Sequence, residues 1–272
     1  MFPGATADRA DAAYAIVGAP LDVSTSFQPG TRFGPDRVRQ FARPFEDYDH
    51  HTASQFSTLG VHDHGDVRAW PDAAEYLDFL ESVLVEYQSD GVVPLTVGGE
   101  HSVTVAGVRA VEPDVVVSLD AHLDLRSSYD GDELSHACAM RRALETAEEV
   151  IVLGARAGSE AEWNRASQAD VTVVEPAAVA EWTPERAGID DGRSTYLTVD
   201  VDALDPAFAP GTGTPEPFGL DSATARDVVQ RVAPHAEGFD VVEVNDRDDG
   251  QAASVAAKLL RTFVYEHAAA GD

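Results

Sequence analysis

The sequence predicts an α/β fold in which helices cover both faces of a mainly parallel, roughly eight-stranded central sheet. Short runs of β-branched residues alternate with longer segments that carry apolar residues at helical spacing, almost from end to end of the chain. Several of the helical segments follow an Asp, Ser or Thr, which are residues typical of a helix start. Because strands that alternate with helices pair in parallel, with helices on both faces, we expect three layers, α/β/α.

The periodicity assigns the individual elements in chain order. The expected strands cover residues 13–18, 58–61, 92–97, 115–119, 150–153, 171–174, 195–199 and 241–244. The expected helices cover residues 74–88, 103–111, 137–146, 159–168, 222–232 and 251–266. Two Gly- and Pro-rich segments, 28–35 and 206–219, are interpreted as ordered loops rather than linkers. Without a linker or repeat, residues 1–272 are predicted to form a single domain.

The chain is strongly acidic, with 48 Asp and Glu against 19 Lys and Arg and a formal net charge of −29. Such a surface repels nucleic acid and anionic lipid, so we expect neither as a partner. Self-repulsion costs stability in dilute buffer, but at molar salt the Debye length is about 3 Å and the repulsion is screened. The charge therefore predicts a halophilic protein, adapted to a salt-filled cytoplasm.

The lack of a targeting signal and the single cysteine also predict a cytoplasmic protein. No run of about 18 or more apolar residues occurs, and the first residues lack the basic region and apolar run of a secretory signal. We therefore expect a soluble, cytoplasmic protein with no membrane partner. The single cysteine, Cys138, cannot form an internal disulfide and is expected to be a buried, inert thiol.

Acidic and histidine side chains stand where three of the expected strands end. They are His101, Asp120, His122, Asp124, Asp200 and Asp202. Ligands of open parallel sheets collect beyond the carboxyl ends of the strands, and the period of two lets alternate residues point to one side. Four carboxylates and two imidazoles, without a thiolate, suit Mn²⁺ better than a structural zinc site, although Zn, Ni, Co and Fe stay open. The pattern predicts a two-metal site and hence an enzyme.

Two ions about 3.5–4 Å apart could share carboxylates and a bridging water, whose pKa they would lower enough to supply hydroxide near neutral pH. Four carboxylates balance two divalent cations, and the added hydroxide makes the centre attractive to a cationic substrate.

With these motifs in place, the chain resembles the ureohydrolases, the arginase and agmatinase family. The resemblance runs from about residue 18 to about residue 245. Its motifs are Gly-Gly-Glu-His-Ser at 98–102, Asp-Ala-His-x-Asp at 120–124, and Asp-x-Asp-x-x-Asp-Pro followed by Ala-Pro-Gly-Thr-Gly-Thr-Pro-Glu-Pro across 200–217. Segments 18–22 and 29–35 also look like the amino-terminal signature of the family.

The resemblance implies an arginase-like fold that holds two Mn²⁺ ions per subunit. One ion would be held by His101, Asp120, Asp124 and Asp200, and the other by Asp120, His122, Asp200 and Asp202. Asp120 and Asp200 would therefore bridge the two ions.

The resemblance also assigns catalytic roles. His136 corresponds to the active-site loop histidine, a proton shuttle and general acid, and Glu243 to the carboxylate that pairs with the substrate guanidinium. Asp124 would help to stabilise the tetrahedral species. Without the family, His136 would be interpreted as an ordinary helix-start or core histidine and Glu243 as an ion-pair partner.

Agmatine, hydrolysed to putrescine and urea in polyamine biosynthesis, is the expected substrate. The arginase branch usually has an asparagine two residues after the last ligand of its Asp-Ala-His-x-Asp motif, where this chain has Arg126. Residues 124–142 look more like the agmatinases of archaea and some bacteria. Phe218 stands where the family usually has a glycine; it could reshape the pocket floor or fill a loop contact, and we expect the loop contact.

Other functions stay open at this point. Within the family, the substrate could be N1-aminopropylagmatine, guanidinobutyrate, formimidoylglutamate or arginine. From another class, the chain could be a catalytically silent metal-binding subunit or scaffold, but a scaffold would need neither the six ligands nor His136 and Glu243. The family commonly forms trimers or hexamers, so we expect a homo-oligomer.

Overall fold

The computed structural model describes residues 1–271, except for the side chain of Asp191. Within that range, the main sheet has eight strands, which all pair in parallel, in the order β4-β1-β5-β10-β9-β6-β7-β8. They are β1 (Tyr14–Ala19), β4 (Val61–Asp66), β5 (Val93–Gly98), β6 (Val115–Leu119), β7 (Glu149–Leu153), β8 (Val171–Val174), β9 (Thr195–Asp200) and β10 (Ala236–Val242). A small antiparallel pair is formed by β2 (Tyr48–Asp49) and β3 (Ser54–Gln55).

The helices form the two outer layers. They are α1 (Gly34–Phe41), α2 (Ala73–Ser89), α3 (Thr104–Val111), α4 (Ala139–Ala143), α5 (Glu160–Ala166), α6 (Pro176–Val179), α7 (Ser222–Val232) and α8 (Gln251–Gly271). Helices α1 and α7 both pack against α8, whereas α3 packs against α2 and α4. Alternate strand residues serve the two layers: Val115 and Val117 belong to the core under α7 and α8, and Val116 to the core under α3 and α4. The predicted three-layer fold is confirmed.

Local sequence signals fix where several helices begin. Asp72 caps α2 by accepting a hydrogen bond from the Glu75 amide at 3.0 Å. Helix α5 begins with a capping box, in which Ser159 accepts from the Glu162 amide while the Glu162 carboxylate accepts from the Ser159 amide. Such caps satisfy amides that have no partner within the helix.

Some expected boundaries were wrong. The strand predicted at 58–61 begins only at Val61, because Phe56–Thr58 forms a 3₁₀ turn and Gly60 has a φ of 69°. The strand predicted at 241–244 ends at Val242, since Glu243 is in the left-handed region with a φ of 62°. The helix predicted at 137–146 is shorter, with a 3₁₀ turn before α4. Segment 28–35, interpreted as a loop, contains a 3₁₀ turn and the start of α1, while 206–219 is free of helix and strand as expected.

Cys138 is fully buried, as expected for an inert thiol. Burial and the nearby charge of Asp124 raise the pKa of its thiol to about 11. Within residues 1–271, no helix is both long and apolar enough to cross a membrane.

A buried ion pair joins α1 to the edge of the sheet. The Arg39 guanidinium, 7% exposed, contacts Asp63 at 2.8 Å and Asp66 at 2.5 Å, both in β4. Burial alone would raise the pKa of Asp63, but the hydrogen bonds and charge of Arg39 lower it below its usual value.

Replacing Arg39 by Met should therefore lower the free energy of unfolding by about 3 kcal/mol at pH 7, because the buried Asp63 loses its guanidinium partner, and the one charged partner left to it among residues 1–271 is the amino group of Met1, 3.7 Å away. The contribution of Asp63 is present above the unfolded pKa of Asp, about 3.9, and is lost as pH falls through the lowered folded pKa, so the difference should shrink below about pH 4. Urea denaturation at constant molar KCl measures the loss of unfolding free energy at pH 7 and its decrease at low pH. The control Arg43→Met removes an exposed arginine just after α1 and should change little; equal losses in the two variants would contradict the role of the pair.

Candidate metal centre and active site

The site lies at the carboxyl ends of four neighbouring strands in the middle of the sheet. Val97 of β5 pairs with Val241 of β10, Val241 with Val199 of β9, and Val199 with Leu119 of β6. This single row of paired residues brings the four strand ends level. The six predicted ligands and Glu243 all follow within a few residues of that row, so the parallel registers bring together residues that are up to 142 positions apart in the chain, such as His101 and Glu243.

The chain makes the same local turn after β6 and after β9. The Asp120 Oδ1 atom accepts a hydrogen bond from the His122 amide at 2.7 Å, and the Asp200 Oδ1 atom accepts one from the Asp202 amide at 2.8 Å. Asp202 Oδ1 in turn accepts from the Ala121 amide at 3.1 Å, which links the two turns. Backbone amides thus orient three carboxylates and leave their other oxygens for a ligand.

The ligand atoms form two groups that share Asp120. In the first, His101 Nδ1 lies 3.2 Å from Asp120 Oδ2 and 2.9 Å from Asp124 Oδ2. In the second, His122 Nδ1 lies 3.0 Å from Asp202 Oδ2 and 3.8 Å from Asp120 Oδ1. Within each group, one atom from every residue lies within 4.8 Å of the others, which is a spacing that can hold a metal ion.

Asp200 is close to the first group but belongs to neither by that measure. Its Oδ2 atom lies 3.5 Å from His101 Nδ1. The shared position of Asp120 agrees with its predicted role as a bridging ligand, whereas the bridging role of Asp200 stays a prediction.

The donor set fits divalent cations. His101 Nδ1 and Asp120 Oδ2 are buried and, although near each other, have no partner with hydrogen-bonding geometry among the described residues. Buried polar atoms without hydrogen bonds are rare in proteins and need an explanation such as an ion. Carboxylate oxygens with imidazole nitrogens are ligands that Mn²⁺ and related metals accept.

Electrostatics leads to the same conclusion. Burial and the charge of Asp124 raise the pKa of Asp120 to about 7. Burial alone would lower the pKa of His122 and raise that of Asp202, but their mutual attraction reverses both effects, with values of about 10 and about 2. The protein therefore buries more carboxylates than its two imidazoles can neutralise, and cations held here would lower that cost.

A buried polar network holds the other side of the His101 ring. Its Nε2 atom lies 3.3 Å from Thr198 Oγ1, which contacts Thr104 Oγ1 at the same distance. Both hydroxyls also contact the buried carboxylate of Asp240, which accepts a hydrogen bond from the Tyr196 hydroxyl at 2.9 Å. Outer partners of this kind fix the tautomer and orientation of a ligating imidazole.

Glu243 lies beside the two ligand groups. Its Oε1 atom accepts a hydrogen bond from the His101 amide at 2.9 Å, while Oε2 is buried without a partner among residues 1–271. Burial raises the pKa of this carboxyl well above its usual value. A Cβ atom on Gly213 would stand 3.7 Å from Oε2, so the loop of residues 212–214 also approaches this oxygen closely.

His136 is brought to Glu243 by the loop that follows β6. Its Nδ1 atom lies 3.7 Å from Glu243 Oε1, and its Nε2 atom accepts a hydrogen bond from the Ser26 amide at 3.2 Å. The His136 amide donates to Ser24 Oγ at 2.9 Å, which ties this loop to the loop after β1. A proton on the neutral ring therefore resides on Nδ1, which faces Glu243.

Glu100 anchors the loop after β1, a role that the sequence did not reveal. Its buried carboxylate accepts hydrogen bonds from the amides of Val23 and Ser24, and from the hydroxyls of Ser24 and Ser102, at 2.6–2.7 Å. Because Glu100 lies inside the Gly-Gly-Glu-His-Ser motif, its position next to His101 was the available signal.

Arg156 anchors the loop after β9 and was also missed. Its guanidinium donates to the carbonyl oxygens of Gly154, Asp202, Ala203, Leu204, Glu216 and Pro217, at 2.8–3.5 Å. From the same loop, Thr214 Oγ1 contacts Asp202 Oδ2 at 3.2 Å. No sequence motif indicates the role of Arg156, because it binds main-chain carbonyls, which every residue has.

A cavity of about 350 Å³ opens onto this centre. His122, Asp124, Asp200 and His136 line this cavity, and further lining residues include Arg126, Tyr129, Glu162 and Glu216. Phe218 does not line it. Its side chain is 87% exposed and borders a neighbouring cavity that Glu216 also lines, so the expectation that it fills a loop contact was wrong.

Comparison with known proteins identifies the family. The model of the arginase family matches residues 12–265 of this chain. The chain belongs to the arginase family. It is 35% identical to an agmatinase of Pyrococcus horikoshii, over 94% of this chain and 92% of the relative, and 35% identical to a guanidinobutyrase of Pseudomonas aeruginosa, over 93% and 85%. The crystal structure of the agmatine ureohydrolase of Thermoplasma volcanium superposes with a TM-score of 0.91 at 35% identity, covering 98% of this chain and 93% of the other.

As a member of this family, the chain is a ureohydrolase, an enzyme that hydrolyses C–N bonds of linear amidines. The enzymes of this family are binuclear metal hydrolases. The two ligand groups that share Asp120 fit that description.

Replacing Arg156 by Met should loosen the loop of residues 202–217, because the main-chain carbonyls lose their shared donor. We expect a loss of about 2 kcal/mol in the free energy of unfolding and faster limited proteolysis within residues 205–217 under native conditions. The control Arg165→Met removes a pair with the partly exposed Asp170 and should cost less than about 1 kcal/mol. Unchanged proteolysis in the Arg156 variant would contradict the anchoring role.

Proposed function

We propose that this ureohydrolase converts agmatine and water to putrescine and urea, with two Mn²⁺ ions per subunit. The observation that carries the proposal is the Glu243 carboxylate, which is buried, has a free Oε2 atom and lies between His101 and His136. A buried carboxylate with an unpaired oxygen is a binding group for a planar cation with several N–H donors, as a guanidinium is.

The residues proposed to hold the metals are the six that the sequence predicted. His101, Asp120, Asp124 and Asp200 would hold one ion, and Asp120, His122, Asp200 and Asp202 the other. When bound, the ions supply Lewis-acid polarisation and a water of lowered pKa as the nucleophile.

Three residues of the chain perform the remaining steps. Glu243 accepts hydrogen bonds from the guanidinium and fixes its orientation. Asp124 lines the cavity and contacts His101 through Oδ2, so its other oxygen can accept a hydrogen bond from the reacting guanidino group as the carbon becomes tetrahedral. The C–N bond to the alkyl amine then breaks, and His136 delivers the proton that the departing amine requires.

Agmatine is preferred among the guanidino compounds because relatives of 35% identity are named agmatinase and agmatine ureohydrolase. Guanidinobutyrate is the second candidate, since an equally identical relative is named guanidinobutyrase. N1-aminopropylagmatine, formimidoylglutamate and arginine would use the same centre. A catalytically silent subunit is disfavoured by the close approach of His136 and Glu243 beside the ligands.

Several broader expectations stay proposals. We propose that residues 1–272 act as one domain, that subunits assemble as a trimer or hexamer, and that the net charge of −29 adapts the surface to molar salt. A cytoplasmic location stays a prediction.

A urea-release assay in molar KCl with Mn²⁺ tests the reaction. Agmatine, aminopropylagmatine, arginine, guanidinobutyrate and formimidoylglutamate are compared, and agmatine should give the highest kcat/KM. Glu243→Gln should lower kcat/KM at least about 100-fold, because the guanidinium loses its charged partner.

The matched control is Glu237→Gln, an exposed glutamate on the same strand, β10, which should keep wild-type activity. Rapid turnover of another guanidino compound without turnover of agmatine would contradict the assigned substrate. An unimpaired Glu243→Gln enzyme would contradict the assigned binding group.

A further inference from the structure

The outer part of the active-site cavity carries an unusual arrangement of charge. We propose that Glu216 binds the distal ammonium of the substrate, and that Glu162 pairs with the charge of Arg126 so that carboxylate tails are rejected. This inference rests on the proposed function, since it concerns the tail of the same substrate.

Glu216 offers an unpaired carboxylate on an anchored main chain. It lines the cavity together with Asp124 and Asp200 and is half-buried. Among residues 1–271, no side chain or amide forms an ion pair or hydrogen bond with its carboxylate. Its carbonyl oxygen, by contrast, is held by Arg156 at 2.8 Å, so the main chain from which the carboxylate projects is anchored.

Arg126 is the one arginine or lysine among the described residues that line this cavity, and its charge is already paired. Its Nε atom lies 3.2 Å from Glu162 Oε2. Its guanidinium also lies over the ring of Tyr129, 5.1 Å from the centroid. Because the guanidinium is stacked and paired in this way, it is not a free binding site for an anion.

Glu162 is itself locked in place by the start of α5. Its side chain is buried, and Oε2 accepts hydrogen bonds from the Ser159 amide at 2.8 Å and the Ser159 hydroxyl at 2.7 Å. The partner of Arg126 therefore cannot move aside without breaking the capping box of the helix.

Apart from the proposed metal ligands and His136, the cavity consequently presents one unpaired anion, Glu216, and one cation whose charge is paired, Arg126, to whatever projects from the guanidino group. An ammonium tail meets Glu216 with a charge of opposite sign. A carboxylate tail, as in guanidinobutyrate, meets a like charge and has no free cation, which costs binding energy and gives specificity by repulsion. These charges would favour amine-tailed over acid-tailed guanidines, and the metal centre would be the same for both.

Two variants and two pairs of substrates test this inference. Glu216→Gln should raise KM for agmatine about tenfold, with a smaller change in kcat, because the group that it contacts is remote from the reacting carbon. KM for butylguanidine, which lacks the terminal amine, should not change in this variant. Equal effects on agmatine and butylguanidine would overturn the inference, because they would indicate a merely structural role.

Glu162→Gln should release the charge of Arg126 while its amide oxygen can still complete the capping box. We expect the ratio of kcat/KM for guanidinobutyrate to that for agmatine to rise about tenfold or more. The matched control is Glu160→Gln, an exposed glutamate in the first turn of the same helix, which should leave that ratio unchanged. An unchanged ratio in Glu162→Gln would overturn the role given to the Arg126–Glu162 pair.

The wild-type enzyme separates this inference from the proposed function. If wild type prefers a carboxylate-tailed guanidine over agmatine, the assignment of agmatine fails, and the inference fails with it. If wild type prefers agmatine but Glu216→Gln keeps its KM for agmatine and Glu162→Gln keeps the wild-type ratio, the proposed function stands and only the inference fails.

Discussion

The site depends on one constraint, the burial of five carboxylates at the carboxyl ends of the central strands. Asp120, Asp124, Asp200, Asp202 and Glu243 are all at most 6% exposed. Two imidazoles, those of His101 and His122, cannot balance that charge, and the raised pKa values of Asp120 and Glu243 reflect the cost. A protein retains such a cluster only where a compensating charge binds, and in the proposed function the metals and the guanidinium of the substrate would supply it.

The fold meets this constraint with rigid supports around the cluster. Backbone amides orient Asp120 and Asp200, Thr198 and Asp240 support His101, and a strained main chain positions two further carboxylates, since Asp124 and Glu243 have φ values of 48° and 62°. Non-glycine residues in this region are uncommon and concentrate at functional sites. Glu100 and Arg156 then anchor the loops after β1 and β9, so the supports extend from the ligands to the walls of the cavity.

Much of this arrangement could be predicted from the sequence, because strands and ligands are encoded locally. Runs of apolar residues such as 115–119 predict strands, and the spacing of Asp120, His122 and Asp124 predicts metal ligands. The order of the strands could not be predicted, since β10 enters the sheet between β5 and β9 through pairing over long distances in the chain. The roles of Arg156 and Glu162 were hidden for the same reason: one binds carbonyls of a distant loop, and the other pairs with an arginine 36 positions earlier in the chain.

The reaction and the choice of substrate depend on different parts of the molecule. The six proposed ligands lie at or just after the carboxyl ends of three of the four central strands. Arg126, Glu162 and Glu216 lie on the segments that follow those strands and their neighbours, where residues can change without disturbing the sheet. The two proposals therefore place the chemistry at the ends of the central strands, and substrate preference in the loops and the start of α5.

An anomalous-scattering map from crystals of the protein grown with Mn²⁺ tests the central claim most directly. We expect two peaks in each subunit, both in contact with the Asp120 carboxylate, one beside His101 and the other beside His122. A single peak, or two peaks of which only one contacts Asp120, would contradict the shared centre on which the proposed function depends.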